Sequence, residues 1–285
     1  EAVTVSGTPT LTLNNGATAS YNSGSGNAAL VFRYTVADGD TDASDLQVSS
    51  SSGTLADAAG GGAASASGDL GSVVVDGSSP DITGCDATDG DYGVGEAISI
   101  TCTYNEAVTV TGTPTITLSN SDVASYASGT GSTAIVFTTT VAESDSASSD
   151  LSVSSIQNTA GGATMKDSNG NDVSTTITGG DLGTVTVDGD APDLSSVAAT
   201  DGTYKIGDSL SVTVTWDEAV VVTGTPTLTL SNNDVATYAS GTGSAALVFT
   251  TTIASGDTDS TDLSVSSFSG TITDSAGGAA AAASG

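Results

Sequence analysis

One thirteen-residue phrase occurs three times in this chain with few changes. It reads EAVTVSGTPTLTL from Glu1, EAVTVTGTPTITL from Glu106 and EAVVVTGTPTLTL from Glu218. The copies start 105 and 112 residues apart, which is too long for a solenoid unit and matches the size of a small β-domain. The repetition therefore predicts an array of similar domains, an architecture that usually serves reach, stiffness or adhesion rather than catalytic turnover.

The strand pattern is clearest in the second copy, where Val, Ile, Leu and Thr alternate with polar residues between turns rich in Gly, Ser, Asn and Asp. This pattern predicts seven strands, at 82–87, 97–104, 107–118, 123–127, 134–141, 151–156 and 182–188. Pro114 cannot donate a ladder hydrogen bond, so we expect an edge or a bulge around it. Seven short strands separated by turns are typical of a Greek-key sandwich. The predicted fold class is therefore all-β, a tandem array of immunoglobulin-like Greek-key β-sandwich domains.

Two similar segments, VDGSSPD and VDGDAPD, mark the predicted domain boundaries. They divide the chain into repeat 1 (1–77), repeat 2 (78–189) and repeat 3 (190–285). Pro80 and Pro192 lie in these short links, so we expect neighbouring repeats to be stiffly coupled. Repeat 1 lacks counterparts of the first two strands of repeat 2, and repeat 3 lacks a counterpart of the last one. Two explanations stay open: a segment of a longer array, or a subunit whose sheets are completed by a strand from a neighbouring subunit.

Composition argues against several classes of partner and reaction. The chain has 33 acidic and 3 basic residues, a net charge of −30, so nucleic acid and anionic membranes are poor partners. No apolar run approaches the roughly 20 residues of a membrane span, so we expect no membrane insertion. Without any histidine, Ser-His-Asp and Cys-His catalysis and His-bound zinc are unavailable. Trp216 is the only tryptophan, which leaves a glycosidase without its usual aromatic platforms. We predict that the protein is not an enzyme.

The only two cysteines, Cys85 and Cys102, replace core valines of the next repeat. They align with Val197 and Val214, at positions that look inward on neighbouring predicted strands. This placement favours a disulfide within repeat 2, and free buried thiols are the alternative. A disulfide would indicate an oxidising compartment outside the cytoplasm.

Acidic residues recur at fixed places in the repeats while the neighbouring Ser, Thr and Ala change. In a seven-stranded sandwich, the loop after the fifth strand and the outgoing linker lie at one end of a repeat. That end faces the corner glutamate and the last loop of the following repeat. At the first junction this arrangement brings together Asp40, Asp45, Asp76, Asp81, Glu106 and Asp167. At the second junction it brings together Asp145, Asp150, Asp188, Asp190, Asp193, Glu218 and Asp274.

Carboxylates gathered in this number would repel one another without a cation. Ca²⁺ takes about 6–8 oxygen ligands, often from flexible acidic loops. The sequence therefore predicts Ca²⁺ between repeats, where it would neutralise each junction and fix the angle between domains. A solvated acidic surface that maintains solubility and an adaptation to high salt are the two alternatives.

The repeats resemble a known family in the segments YGVGEAISITCTYNEAVTVTGTPTITL, YASGTGSTAIVFTTTVA, SDLSV and VDGDAPDLSSV. They look like the bacterial Ig-like and cadherin-like repeats of very large secreted surface proteins and adhesins, over essentially the whole chain. That resemblance implies an extracellular, non-enzymatic array supported by calcium. One departure concerns the family's DxAGN loop, because repeats 1 and 3 have DAAGG and DSAGG and only repeat 2 has asparagine, in DSNGN.

Together these observations predict an extracellular array, secreted or attached to the cell surface, that acts as a calcium-stiffened shaft or filament. Its expected partners are other copies of the repeat, in the same chain or in neighbouring subunits. One alternative is a self-assembling filament or surface-layer subunit completed by strand donation. Another is a carbohydrate-binding adhesin module that recognises cell-surface glycans. That module would use the recurring Tyr21, Tyr126 and Tyr238, for which a structural role is the other interpretation.

Overall fold

The chain folds almost entirely into β-strands. A computed structural model describes residues 1–57, 59–62, 65–158 and 160–280. Over these ranges there is no α-helix, only a single 3₁₀ turn at Ala160–Gly162, so none of the described segments forms a helix able to cross a membrane. The all-β prediction is confirmed.

Each predicted repeat contributes its own group of strands. Repeat 1 contains β1 (Val3–Leu13), β2 (Thr18–Ser23), β3 (Val31–Arg33), β4 (Gln47–Asp57) and β5 (Gly68–Asp69). Repeat 2 contains β6 (Ile82–Ala87), β7 (Gly90–Tyr92), β8 (Ala97–Thr111), β9 (Thr115–Leu118), β10 (Val123–Ser128), β11 (Ser132–Thr140), β12 (Val153–Gln157), β13 (Thr164–Lys166) and β14 (Val185–Val187). Repeat 3 contains β15 (Leu194–Ala199), β16 (Ser209–Leu230), β17 (Val235–Ser240), β18 (Ser244–Thr252), β19 (Val265–Asp274) and β20 (Gly277–Ala280).

The strands pair mainly in antiparallel fashion. The order is β3-β2-β1-β4-β5 in repeat 1, and β12-β9-β10-β11-β8-β13 with β6 added on β8 in repeat 2. In repeat 3 the order is β17-β18-β16-β19-β20, with β15 added on β16. A parallel pair, β14 with β7, covers one face of repeat 2. Three separate clusters of buried apolar side chains result, one in each predicted repeat, and the largest is in repeat 2.

The corner glutamate of repeat 2 lies inside one long strand. The sequence pattern predicts separate strands before and after Glu106, but β8 continues through this position and the chain breaks instead between Thr111 and Thr115. Alternation in β8 is unbroken, while its partners change from β6 and β11 to β13. In repeat 3, β16 pairs with β15 and β18 before Glu218 and chiefly with β19 after it.

The Gly-Thr-Pro motif disturbs the strands as its proline predicts. In repeat 1 the register with β4 shifts between Ser6 and Thr10, and in repeat 3 the register with β19 shifts between Thr223 and Thr227. A Cβ on Gly270 would lie 2.5 Å from the Pro226 side chain, so the strand opposite the bulge needs glycine there. At Pro114 itself the strand is interrupted between Thr111 and Thr115, and the register shifts at this motif occur in repeats 1 and 3.

The three recurring tyrosines hold the hairpin that follows them. The phenol oxygens of Tyr21, Tyr126 and Tyr238 each accept a backbone N–H four residues later, at 2.8, 3.1 and 2.9 Å. Each ring also packs edge to face against a phenylalanine of the next strand. Trp216 is 2% exposed in the core of repeat 3. These contacts favour the structural interpretation of the tyrosines.

One apolar face is covered in repeat 2 and open in repeat 3. In repeat 2, Leu182 and Val185 are fully buried where the segment 181–187 lies between β7 and residues 148–153. In repeat 3 the corresponding surface is a groove of about 1410 Å³, with Val197 42% and Leu263 38% exposed. A strand of the same type as 181–187 would complete this sheet.

Cys85 and Cys102 face each other across β6 and β8 and form a disulfide. Val197 and Val214 occupy the same register between β15 and β16 of repeat 3. The disulfide therefore takes the place of an apolar cross-strand pair.

Replacing both cysteines by the valines of repeat 3, C85V/C102V, is expected to lower the free energy of unfolding of repeat 2 by about 3 kcal/mol, because a cross-link restricts the unfolded chain. Urea-dependent proteolysis of the full chain, read by mass spectrometry, separates the repeats. Reductant should lower the urea concentration at which repeat 2 unfolds in the wild type and leave that of the variant unchanged. A wild-type transition that stays in place after both thiols are shown to be free would contradict this prediction.

Candidate metal centre between repeats

Two clusters of three carboxylates connect successive repeats. Joint 1 consists of Asp76, Glu106 and Asp167, and joint 2 consists of Asp188, Glu218 and Asp274. In each joint one oxygen of every residue lies within 4.8 Å of the others. The first aspartate ends one repeat and the other two residues belong to the next. Each cluster therefore ties a linker to the repeat that follows it.

Sheet register brings the glutamate and the loop aspartate of a joint together. Asp274 is the last residue of β19 and pairs with Val220, two residues after Glu218 on β16. Because residues two apart on a strand share a face, Glu218 and Asp274 are diagonal neighbours on one side of the sheet. Joint 1 has the same plan, with Glu106 on β8 and Asp167 directly after β13.

A buried glycine fixes the linker beside each linker aspartate. Gly189 follows Asp188, and its carbonyl accepts the Ser144 N–H at 2.8 Å. A Cβ on Gly189 would lie 2.1 Å from the carbonyl oxygen of Asp145, so no larger residue fits against this loop. Gly77 packs in the same way against the corresponding loop of repeat 1. The linker leaves each repeat in a defined direction.

One oxygen of each loop aspartate is used inside its own turn. Asp167 Oδ1 accepts the N–H groups of residues 169–171 at 2.6–2.9 Å. Asp274 Oδ1 accepts the Ala276 N–H at 3.0 Å. These bonds orient the carboxylates. Asp167 Oδ2 also accepts the Asn171 side chain at 2.8 Å, whereas Asp274 Oδ2 is left without a partner.

Joint 2 buries two carboxylate oxygens without a hydrogen-bond partner. They are Glu218 Oε1 and Asp274 Oδ2, and Asp274 as a residue is 1% exposed. A buried polar group without a partner costs roughly 1–3 kcal/mol, and a charged one costs more. Oxygen atoms in this state are suitable ligands for a hard cation. The residues present at joint 2 therefore fit a metal ion.

The electrostatics of both joints favour a proton or a cation on the glutamate. Burial, followed by the negative charges of Asp274 and Asp188, raises the pKa of Glu218 to about 7. The pKa of Glu106 is also raised, by burial and by the charges of Asp167 and Asp76.

The two loop aspartates differ in the direction of their shifts. Burial is the main cause that raises the pKa of Asp274. Burial acts in the same direction on Asp167, but hydrogen bonds from Asn171 and from the turn lower its pKa overall. The loop of repeat 2 therefore satisfies its aspartate better than the loop of repeat 3 does.

Asp40 and Asp145 lie outside the two clusters and stabilise their own loops. Asp40 Oδ2 accepts the Tyr34 hydroxyl at 2.6 Å and the Ala37 N–H at 2.8 Å. Asp145 Oδ2 accepts the Ala142 N–H at 2.8 Å. Since these loops hold the linker glycines, the two residues support the joints indirectly.

The other predicted ligands lie outside the two clusters. Asp45 and Asp150 are exposed in their loops, and the Asp45 carboxylate accepts the Gln47 side chain at 3.0 Å. Asp81 and Asp190 contribute negative charge that raises the pKa of Glu106 and Glu218, respectively. Asp193 donates its N–H to Asp217 Oδ1 at 2.8 Å.

Several residues of the joints were not among the predicted ligands. Asp42 Oδ1 accepts the Gly77 N–H at 2.9 Å, and its charge acts on Glu106. At joint 1 the amides of Asn169 and Asn171 contact Asp76. Comparing the loop DSNGN of repeat 2 with DSAGG of repeat 3 could have identified these amides, because only repeat 2 has asparagine at the third and fifth positions.

No protein-family model, curated protein or solved structure matches this chain. The likeness to bacterial Ig-like repeats stays a prediction, and function is inferred from the joints themselves.

Glu218 is expected to destabilise metal-free repeat 3 as the pH rises. Its pKa is about 7 in the folded chain, above its value of roughly 4.3 in an unfolded one. Folding thus favours the protonated form, so this contribution to stability is fully present below about pH 4.3 and is lost as the pH rises through about 7. Thermal unfolding in chelator, from about pH 5 to about pH 8, should show a falling Tm for repeat 3.

Glu218→Gln keeps the shape of the side chain and removes the titrating group, so it should flatten this slope. Asp86→Asn removes an exposed carboxylate of β6 and should leave the slope unchanged. An equal slope in wild type and Glu218→Gln would show that Glu218 does not control the pH dependence.

Proposed function

We propose that this chain is a structural segment of an extracellular array of immunoglobulin-like Greek-key β-sandwich repeats, with joints stiffened by bound Ca²⁺. In this proposal the repeats are links in a shaft or filament of a large secreted or cell-surface protein. Binding energy at the joints serves to fix the angle between domains, and no reaction is catalysed.

The observation that carries the proposal is the buried, unpartnered Oδ2 of Asp274 inside a cluster that spans two repeats. A cation on this oxygen and on Asp188 would hold the end of repeat 2 against a strand of repeat 3. Glu218 adds a ligand from the long strand β16. One ion would then restrain three separate segments, which is the property a stiff joint needs.

The ligand chemistry favours calcium over other metals. Each joint offers only oxygen atoms, and the chain has neither histidine nor a cysteine outside the disulfide pair. Mg²⁺ needs near-ideal octahedral geometry and retains water, whereas Ca²⁺ accepts 6–8 oxygens in irregular arrangements. The acidic residues around joint 2, Asp190 and Asp217, can supply further ligands directly or through water.

Two further features support a structural role outside the cytoplasm. The disulfide of repeat 2 is compatible with an oxidising compartment. The linker glycines pack against the preceding repeat, so the linkers are short and held in place rather than flexible.

Calcium is expected to bind the full chain with a Kd on the order of 10⁻⁴–10⁻³ M, the usual range of extracellular calcium modules. It should also narrow the range of shapes that the chain adopts, because a joint that holds Ca²⁺ loses its bending freedom. Calorimetry measures the binding, and small-angle X-ray scattering measures the maximum dimension and the flexibility in calcium and in chelator.

Potassium chloride at matched ionic strength is the control for a simple solvated acidic surface. If it narrows the shapes as much as calcium does, charge screening is sufficient and the proposal is wrong. Glu218→Gln should weaken binding at joint 2, whereas Asp86→Asn should bind calcium like wild type.

A second candidate is self-assembly by strand donation, which the open groove of repeat 3 favours. The segment 69–76 of repeat 1 has the sequence DLGSVVVD, close to the DLGTVTVD of residues 181–188. Leu70 and Val73 are 46% and 38% exposed, whereas their counterparts Leu182 and Val185 are fully buried. In this candidate, residues 69–76 of a second copy leave their own repeat, where Val75 is buried and pairs with Ala43, and fill the groove of repeat 3.

A synthetic peptide with the sequence of residues 69–76 should bind the full chain saturably and dissociate any oligomer that light scattering detects. The same peptide with Leu70→Asp and Val73→Asp should do neither, because its apolar contacts are lost. Leu263→Asp in the groove should weaken peptide binding. If the wild-type peptide does not bind, strand donation through this groove is excluded.

A further inference from the structure

The two joints differ in the residues that face their carboxylates. At joint 1 the Asn169 amide donates to Asp76 Oδ2, and Asn171 Nδ2 lies 2.8 Å from Asp167 Oδ2. Asn171 Nδ2 is also 3.2 Å from the carbonyl oxygens of Asp76 and Ser78. Two neutral side chains of repeat 2 thus reach the linker and the cluster at the same time.

Joint 2 has no such donors. Ala276 and Gly278 stand where repeat 2 has Asn169 and Asn171. Asp167 Oδ2 accepts an amide at joint 1, and its counterpart at joint 2, Asp274 Oδ2, has no partner. The loops after Asp167 and Asp274 differ in conformation, because Gly278 has a φ of +66° and Asp274 pairs with Gly277, whereas the Asp167 N–H donates to the Asn171 carbonyl. Among the described residues, only the loop of repeat 2 makes side-chain hydrogen bonds to the linker.

Backbone packing explains why joint 2 cannot adopt the arrangement of joint 1. Gly277 and Gly278 of repeat 3 lie against the turn after β7 in repeat 2. A Cβ on Gly278 would come within 2.5 Å of the Val94 carbonyl oxygen, and Gly278 has a φ of +66°. A Cβ on Gly93 would lie 2.8 Å from the Gly277 carbonyl oxygen. An asparagine at 278 does not fit between these two turns.

The acidic residues around the two glutamates differ in identity but not in number. Asp217 at joint 2 occupies the position of Asn105 at joint 1. The side-chain oxygen of each accepts a linker backbone N–H at 2.8 Å, from Asp193 and Asp81, respectively. Asp190 stands where joint 1 has Ser78. The charges of Asp217 and Asp190 both act to raise the pKa of Glu218. At joint 1, Asp42 and Asp81 act on Glu106 in the same direction, so each glutamate faces four carboxylates and the joints differ in their neutral hydrogen-bond donors.

We infer that joint 1 is latched by Asn169 and Asn171 without a cation, whereas joint 2 has no latch and holds a fixed angle only with bound cation. This inference rests on the proposed function for joint 2, where Asp274 supplies a buried oxygen without a partner. For joint 1 it stands on the amide contacts alone. The chain then behaves as a fixed pair, repeats 1 and 2, joined to repeat 3 by a calcium-dependent hinge.

Three exposed, equivalent positions allow each joint to be measured separately in the full chain. Ser20, Ser125 and Thr237 each precede the recurring tyrosine and are exposed. Spin labels on Ser20→Cys and Ser125→Cys report joint 1, and labels on Ser125→Cys and Thr237→Cys report joint 2. The native cysteines are closed in the disulfide and do not take the label. Pulsed electron spin resonance gives the distance distribution in calcium and in chelator.

We expect the joint 1 distribution to be narrow in both conditions and the joint 2 distribution to be narrow only in calcium. The variant N169A/N171G gives joint 1 the residues of joint 2, and it should lose the narrow distribution in chelator and recover it in calcium. Because a smaller loop could loosen by itself, N169D/N171D keeps the side-chain size and replaces donors by acceptors. It should show the same loss in chelator.

Two outcomes separate the latch from the proposed function. If wild-type joint 1 broadens in chelator as much as joint 2, or if both variants stay narrow in chelator, the latch is wrong. If joint 2 is equally narrow, or equally broad, with and without calcium, the proposed calcium joint is wrong. In that case the two variants still decide whether the amides hold joint 1.

Discussion

At each joint three carboxylates, with one oxygen of each within 4.8 Å of the others, repel one another strongly. Most other features of the joints reduce or offset that repulsion. The interaction is strong because the loop aspartates are buried, and like charges in a region of low effective dielectric are only weakly screened. The chain has only 3 basic residues, so ion pairs cannot offset it generally. A proton on Glu218, an amide from Asn169 or Asn171, and a bound cation are the three remedies that the residues allow.

The geometry of the joints follows from sheet register rather than from the loops. Glu106 and Glu218 lie within long strands whose partners change around the glutamate, so their side chains keep the alternation of the core positions. A slip of one residue in β19 would turn Asp274 to the opposite face and separate it from Glu218. The buried side chains of each sheet oppose such a slip, because they would all change face with it. Core packing therefore fixes the distance between charges that would otherwise move apart.

The sequence was sufficient to predict the joint residues but not all of their roles. Repetition, together with the placement of loops on a sandwich, selected Glu218, Asp274 and Asp188, because a carboxylate that recurs between copies stands out against variable neighbours. It also selected Asp145, which recurs for a different reason: its side chain closes a loop on the Ala142 N–H. Recurrence cannot distinguish a loop-capping aspartate from one that faces a neighbouring domain, since that depends on which oxygen the turn uses. The contact of Gly93 with repeat 3 was beyond prediction for a similar reason, because it depends on how two domains dock.

In the proposed array, the difference between the joints would make stiffness change along the chain. An amide latch is always present, because its donors are part of the chain, whereas a bound ion depends on its concentration around the Kd. Lowering calcium through about 10⁻⁴–10⁻³ M would then release joint 2 and leave joint 1 in place. Gly278 enforces this assignment, since the close packing of its backbone against Val94 removes the space that an asparagine latch requires. If the proposed latch and calcium joint are correct, the residues at two loop positions would decide which joint bends.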